Sequence, residues 1–228
     1  LMHFLIGIVA LLALIYGPQL WVRTVMARYG KDRPDFPGTG GELANHLVER
    51  LGLTAVRTEV SEAGDHYDPE RKVVALTPSN FHGRSLTAVA VAAHEVGHAV
   101  QDQRGYRPLH LRQQLARWAG SLQRVGSFVV VAAPLLLLAS RSPGGLLIPL
   151  IAGLTGALAA VLVHLVTLPV EFDASFKRAL PVLVEGGYLP REDIAAARRI
   201  LSAAALTYVA ASLSGLLNLW YWLRMLRR

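Results

Sequence analysis

Residues 90–101 read AVAAHEVGHAVQ and set His94 and His98 four positions apart, with Glu95 directly after the first. On an α-helix, positions i and i+4 project from nearly the same face, so two imidazoles there can meet one ion. Glu95, one step on, flanks that face, where a carboxylate can accept a proton from a metal-activated water. Imidazole suits zinc, and a catalytic zinc site takes three protein ligands and leaves a fourth position for water. The metal polarises a scissile carbonyl, and the glutamate handles protons in attack and departure. The residues around the motif are small: Ala92, Ala93, Gly97 and Ala99. They suit a helix that packs closely beneath a metal. The competing reading is a polar trio satisfied within an ordinary buried helix, which is costly on so apolar a segment.

The third ligand sorts the hydrolase classes. A metzincin would continue with glycine and histidine three and six residues past His98, where this chain has Gln101 and Arg104. An intramembrane site-2-type protease would place the motif inside a span and add an aspartate from an L-D-G segment. Here the motif helix runs into QDQRGYRP, and no such segment is present. A glutamate from a later helix remains, as in gluzincins, and Glu171 in LPVEFDASFKRA is the best placed. Pro169 is expected to open the helix that carries it. The competing reading of Glu171 is a solvated carboxylate at an interface. Asp173 would point elsewhere on a helix and is at most a partner that orients a ligating histidine. His66 and Tyr67 in GDHYDP read as turn residues or as donors to an oxyanion. The run from Val73 to Leu76 is either an internal strand or an edge that accepts an extended substrate by β-augmentation.

These residues must be held by a chain of unusual composition. It has 228 residues, 53% of them hydrophobic, with a mean hydropathy of +0.37. Charged residues make up 17%, against about 25% in soluble domains. A membrane-spanning helix needs roughly 20 mostly apolar residues. Four stretches qualify: His3–Val22, Val125–Ala139 (short unless 121–124 extend it), Leu146–Leu168 and Ala203–Leu223. The first lacks a basic leader and reads as a retained anchor rather than a cleaved signal. The fold expected is a mainly α integral membrane protein of about four transmembrane helices. A small α+β catalytic region, gluzincin-like, with a short β-hairpin or edge strand completes it.

Between the spans, the Pro/Gly-rich GKDRPDFPGTGGE reads as a linker. GELANHLVERLGL follows as a helix stopped at Gly52, then AVRTEV and KVVALT as two strands about the turn-rich SEAGDHYDPE. The motif helix is capped by Ser79 or Ser85 and ended by Gly105. LPREDIAAARRIL reads as an amphipathic helix whose Arg198 and Arg199 sit at headgroup level. The division expected is residues 1–22 as the first span, 23–124 as the catalytic region and 125–168 as a transmembrane hairpin. Residues 169–202 then carry the third ligand, and 203–228 form the last span and basic tail. A hairpin at 125–168 returns Glu171 to the membrane face on which His94 lies.

The net charge is +7, with no basic patch interleaved with aromatics, so nucleic acid is not an expected partner. The basic residues instead flank the spans, as Arg112, Arg117 and Arg124 do, which places the catalytic region in the cytoplasm. The tail RMLRR runs against that orientation. The chain has no cysteine, which excludes disulfides and thiolate ligands. His164 lies within the third span and reads as a neutral histidine packed between helices. Nothing in the sequence resembles the paired broken helices of a transporter.

DHYDPERKVVALTPSNFHGRSLTAVAVAAHEVGHAVQ, LPVEFDASFKRAL and AAALTYVAASL together resemble the membrane-bound YugP-type zinc metallopeptidases, over nearly the whole chain. The resemblance implies a gluzincin-like protease that binds one Zn²⁺, spans a prokaryotic cell membrane several times and cleaves polypeptides in or near the lipid bilayer. It implies that His94, His98 and Glu171 are ligands and Glu95 the general base. More distant membrane gluzincins carry aspartate four residues after the glutamate, where this chain has Ser175. The alternative function is a non-catalytic membrane scaffold that keeps a structural metal.

Overall fold

The computed structural model describes residues 2–140 and 147–206. Its architecture is mostly helical with one small three-stranded sheet. Helix α1 (Met2–Tyr29) covers the first expected span and continues past it. The linker after it is irregular, and its Phe36 is buried. Helix α2 (Gly40–Arg50) opens on a capping box, in which Glu42 N donates to Thr39 Oγ1 and Thr39 N to Glu42 Oε2. Its buried face, with Ala44, Leu47 and Val48, packs on the motif helix.

The sheet pairs AVRTEV and KVVALT neither as a hairpin nor as two edge strands, although a short hairpin and an edge strand are both present. Strands β1 (Arg57–Val60) and β3 (Val73–Leu76) are parallel, and β2 (His66–Asp68) is antiparallel to β3, giving the order β1-β3-β2. The segment read as a turn holds an extra strand, which reverses the chain once more. Val73 and Leu76 therefore lie on the central strand, Val73 paired on both sides and Leu76 with Val60 of β1, and β3 is not an edge strand. Four consecutive apolar residues, all buried, are what a strand covered on both faces requires.

After the short α3 (Pro78–His82), the motif helix α4 (Leu86–Gln103) starts where Ser85 Oγ accepts Ala88 N at 3.0 Å. Gly105, at φ +61, takes the left-handed turn that ends it. Residues Leu86 to Gln101 of α4 are all buried, with α2, β2, β3 and the Glu171 segment around them. So complete a burial requires side chains that let neighbours approach. At Gly97 a Cβ would sit 2.9 Å from the Ala174 carbonyl oxygen.

Helices α5 (Arg107–Val131) and α6 (Ala133–Ser140) form one arm of the expected hairpin. They part near Pro134, which has no N–H to continue the ladder. The arm begins well before residue 125, so the second expected span covers the end of α5 and most of α6. The returning arm, α7 (Leu147–Phe172), packs along α5, and the turn between them lies outside the described residues. Pro169 does not open a helix: it lies inside α7, and Glu171 sits in the last turn. Val170 and Glu171 are packed into the interior at 0% and 1% exposure, which holds the helix through the proline.

A π-helical stretch follows at Asp173–Ala179, then α8 (Leu180–Glu185). A 3-10 turn at Arg191–Asp193 leads into α9 (194–206), which buries Ala197, Ile200 and Leu201 and exposes Arg198 and Arg199. The rest of the fourth expected span lies outside the described residues. Among the described residues, one continuous helical stretch, Leu147–Glu185, holds a window of mean hydropathy 2.1 and is long and apolar enough to cross a membrane.

Candidate metal centre

Two elements far apart in sequence bring three donor atoms together. From α4, His94 Nε2 lies 3.2 Å and His98 Nε2 3.4 Å from one oxygen of Glu171, Oε2, on α7. Two ligands on a tetrahedral ion, each bonded at ~2.0–2.2 Å, are roughly 3.3–3.6 Å apart. The observed spacing matches that closely. All three side chains are buried, and their donor atoms lie within 4.8 Å of one another.

The outer nitrogen of each ring shows what the inner one carries. Gln101 is fully buried, and its amide nitrogen donates to the Val170 carbonyl and to Asp173 Oδ2, both at 2.8 Å. Its oxygen is thereby turned to His98 Nδ1 at 2.9 Å, where the ring must donate. Ser175 Oγ donates to the Leu201 carbonyl and accepts from His94 Nδ1 at 3.1 Å. With each Nδ1 donating outward, Nε2 is the nitrogen of each ring left to face the Glu171 oxygen and to ligate an ion. Three electron-rich atoms converging in a buried place call for a cation among them. Two imidazoles and one carboxylate fit zinc.

Glu95 follows His94 on α4 and lines the same cleft, a cavity of about 360 Å³. Burial pushes its carboxyl up to about 7. His94 and Arg112 oppose that rise, while the charges of Glu171 and Asp65 add to it. The cleft's other walls come from Asp65, from His66 and Tyr67 of β2, and from Leu109, Arg112 and Ala116 of α5. Arg112 Nη1 lies 3.1 Å from the second oxygen of Glu171, Oε1.

Other residues expected near the site have different partners. Asp173 does not touch a histidine; it holds Gln101, which holds His98, and it is itself held by Arg178 Nε at 2.7 Å. His66 lines the cleft with Nδ1 donating to the Gly64 carbonyl at 3.0 Å. Tyr67 donates its hydroxyl to Asp102 at 2.6 Å, which commits the group expected to face an oxyanion. Val73 and Leu76 do not line this cleft. His164 is half-buried on α7 and takes no part in the cluster.

Three contributors are hard to recognise in the sequence. Gln101 stands out there only as the wrong residue for a metzincin. Ser175 stands out only as a departure, although its place four residues after Glu171 is a usable signal. Arg112 reads as one charge among those beside a span, and no local pattern marks it.

Comparison with known proteins bears on this geometry. A family model described as "Putative neutral zinc metallopeptidase" matches residues 4–227. "Putative membrane protease YugP" of Bacillus subtilis (strain 168) is 39% identical over 221 residues, covering 96% of this chain and 94% of the relative. No solved structure matches.

Proposed function

The chain belongs to the family described as putative neutral zinc metallopeptidase, and from that premise we propose a zinc-dependent, membrane-integrated endopeptidase that hydrolyses membrane or membrane-proximal polypeptides. The observation that carries the reading is the convergence of His94 Nε2 and His98 Nε2 on Glu171 Oε2, at 3.2 and 3.4 Å, with the donor atoms all within 4.8 Å of one another. His94, His98 and Glu171 would hold the ion. When bound, zinc supplies Lewis acidity toward water and toward a scissile carbonyl.

The chain's own residues do the rest. Gln101 and Ser175 keep both rings turned so that Nε2 faces inward. Glu95 takes a proton from the attacking water and delivers it to the leaving amine. An extended substrate would lie along β2, the outer strand beside the cleft, rather than along β3.

Membrane integration rests on the α5–α7 pair, which exposes Phe128, Val131, Ile151, Leu162 and Leu165 to its surroundings. An apolar surface so continuous suits lipid. We assign spans to residues 3–22, 125–139 and 147–168, and the cleft to the cytoplasmic face by the arginines of α5.

The raised Glu95 carboxyl has a measurable consequence. In the metal-free protein Glu95 holds its proton up to about pH 7, and a dication beside it favours the ionised form. Zinc binding at about pH 6 should therefore release a proton from Glu95, and apparent affinity should climb with pH and level off above about 7. Calorimetry in two buffers of different ionisation enthalpy reads this directly. Glu95→Gln should remove that proton, and a release unchanged by the substitution would refute the assignment.

Reconstitution into proteoliposomes tests the function. A bilayer-anchored polypeptide should be cut in a zinc-dependent way, about tenfold or more faster than the same polypeptide freed from its anchor. Equal rates would remove the membrane substrate class, and no cleavage with zinc bound would remove the enzyme.

A further inference from the structure

We propose that Arg112 is a positioning residue that restricts Glu171 to a single metal-facing oxygen. The inference rests on the zinc reading of the site. The carboxylate of Glu171 is divided between two sets of partners. Its Oε2 faces the two imidazoles at 3.2 and 3.4 Å, and its Oε1 lies 3.1 Å from Arg112 Nη1.

A carboxylate can ligate through one oxygen or chelate through both. Chelation would fill the position that a catalytic zinc site leaves for water. A group that holds Oε1 away from the ion prevents that. Arginine is well suited to do so, because it stays charged at any working pH and its guanidinium has donors but no lone pair with which to ligate.

The geometry holds this partnership from both ends. Arg112 comes from α5 and Glu171 from α7, and the two helices pack along each other. Glu171 is 1% exposed, while the Arg112 side chain is 25% exposed and enters from the cleft. The ion pair thus ties the two arms of the helical hairpin together beside the metal centre. The same charge acts on Glu95, for which Arg112 favours the ionised form.

Cobalt(II) substitution in the full chain, purified in detergent, reads the number of ligating atoms. Four-coordinate cobalt absorbs severalfold more strongly in the visible than five- or six-coordinate cobalt. The wild-type protein is expected to give the strong band. Arg112→Gln is expected to weaken that band severalfold as Glu171 turns to chelate, and to lower zinc affinity by about 10–100-fold in chelator competition. An unchanged band in Arg112→Gln overturns the proposal whatever the affinity. A weak band in the wild type overturns it without any variant, which covers the case in which Arg112→Gln does not fold. If wild-type protein takes up neither cobalt nor zinc, the metal reading fails and this inference falls with it. Stoichiometric metal in the wild type with an unmoved spectrum in the variant sinks the inference alone.

Discussion

Glu95→Gln is expected to lower peptide hydrolysis by about 10²–10⁴-fold while leaving one zinc per chain. The substitution keeps the shape of the side chain and removes its capacity to accept a proton. Glu95 is not among the three residues whose donor atoms converge, so metal content should not follow activity down. The amide also replaces a buried acid whose carboxyl is pushed up to about 7 by burial, so the fold should not suffer. The measurement is a rate on a polypeptide substrate beside zinc content by atomic spectroscopy. Near-wild-type turnover would mean that Glu95 is not the base. Wild-type protein that binds zinc and cleaves nothing would instead favour the scaffold, since a structural site needs no base.

Glu171→Gln should show the opposite signature, losing metal and activity together. The residue supplies the only negative charge among the three donors, and its Oε2 lies within 3.4 Å of both imidazoles. Without that charge the guanidinium of Arg112, 3.1 Å from Glu171 Oε1, is no longer offset by the Glu171 carboxylate beside the site, which works against a dication. Loss of a group that merely orients a ligand costs about 10–100-fold in affinity, and loss of a charged ligand should exceed about 100-fold. Chelator competition measures it. Wild-type zinc affinity in Glu171→Gln would show that the third ligand lies elsewhere. The two substitutions together separate a residue that moves protons from one that holds the ion.

What could be read from the chain alone was local. The spacing of His94 and His98 needs only a helix, and that helix is announced by Ser85 before it and Gly105 after it. Gly52 likewise marks the end of α2. Glu171 was within reach because a short-turned hairpin returns to the side it left.

Long-range contacts decide the rest. Strand β2 has three residues, too few to show a period, and the parallel pairing of β1 with β3 joins segments that only the tertiary fold brings together. Pro169 carried the usual signal of a helix start, yet the burial of Val170 and Glu171 against α4 keeps α7 intact through it. Gln101, Ser175 and Arg112 are polar residues of ordinary type. Their meaning comes from what lies opposite them: an imidazole, an imidazole and a carboxylate oxygen.

The central claim is that one divalent ion is held by two residues of α4 and one of α7. Anomalous diffraction at the zinc edge from a zinc-loaded crystal tests it most directly. A single strong peak is expected between His94 Nε2, His98 Nε2 and Glu171 Oε2, at bonding distance from each (~2.0–2.2 Å). No peak there, or a peak that the Glu171 oxygen does not reach, would contradict the account.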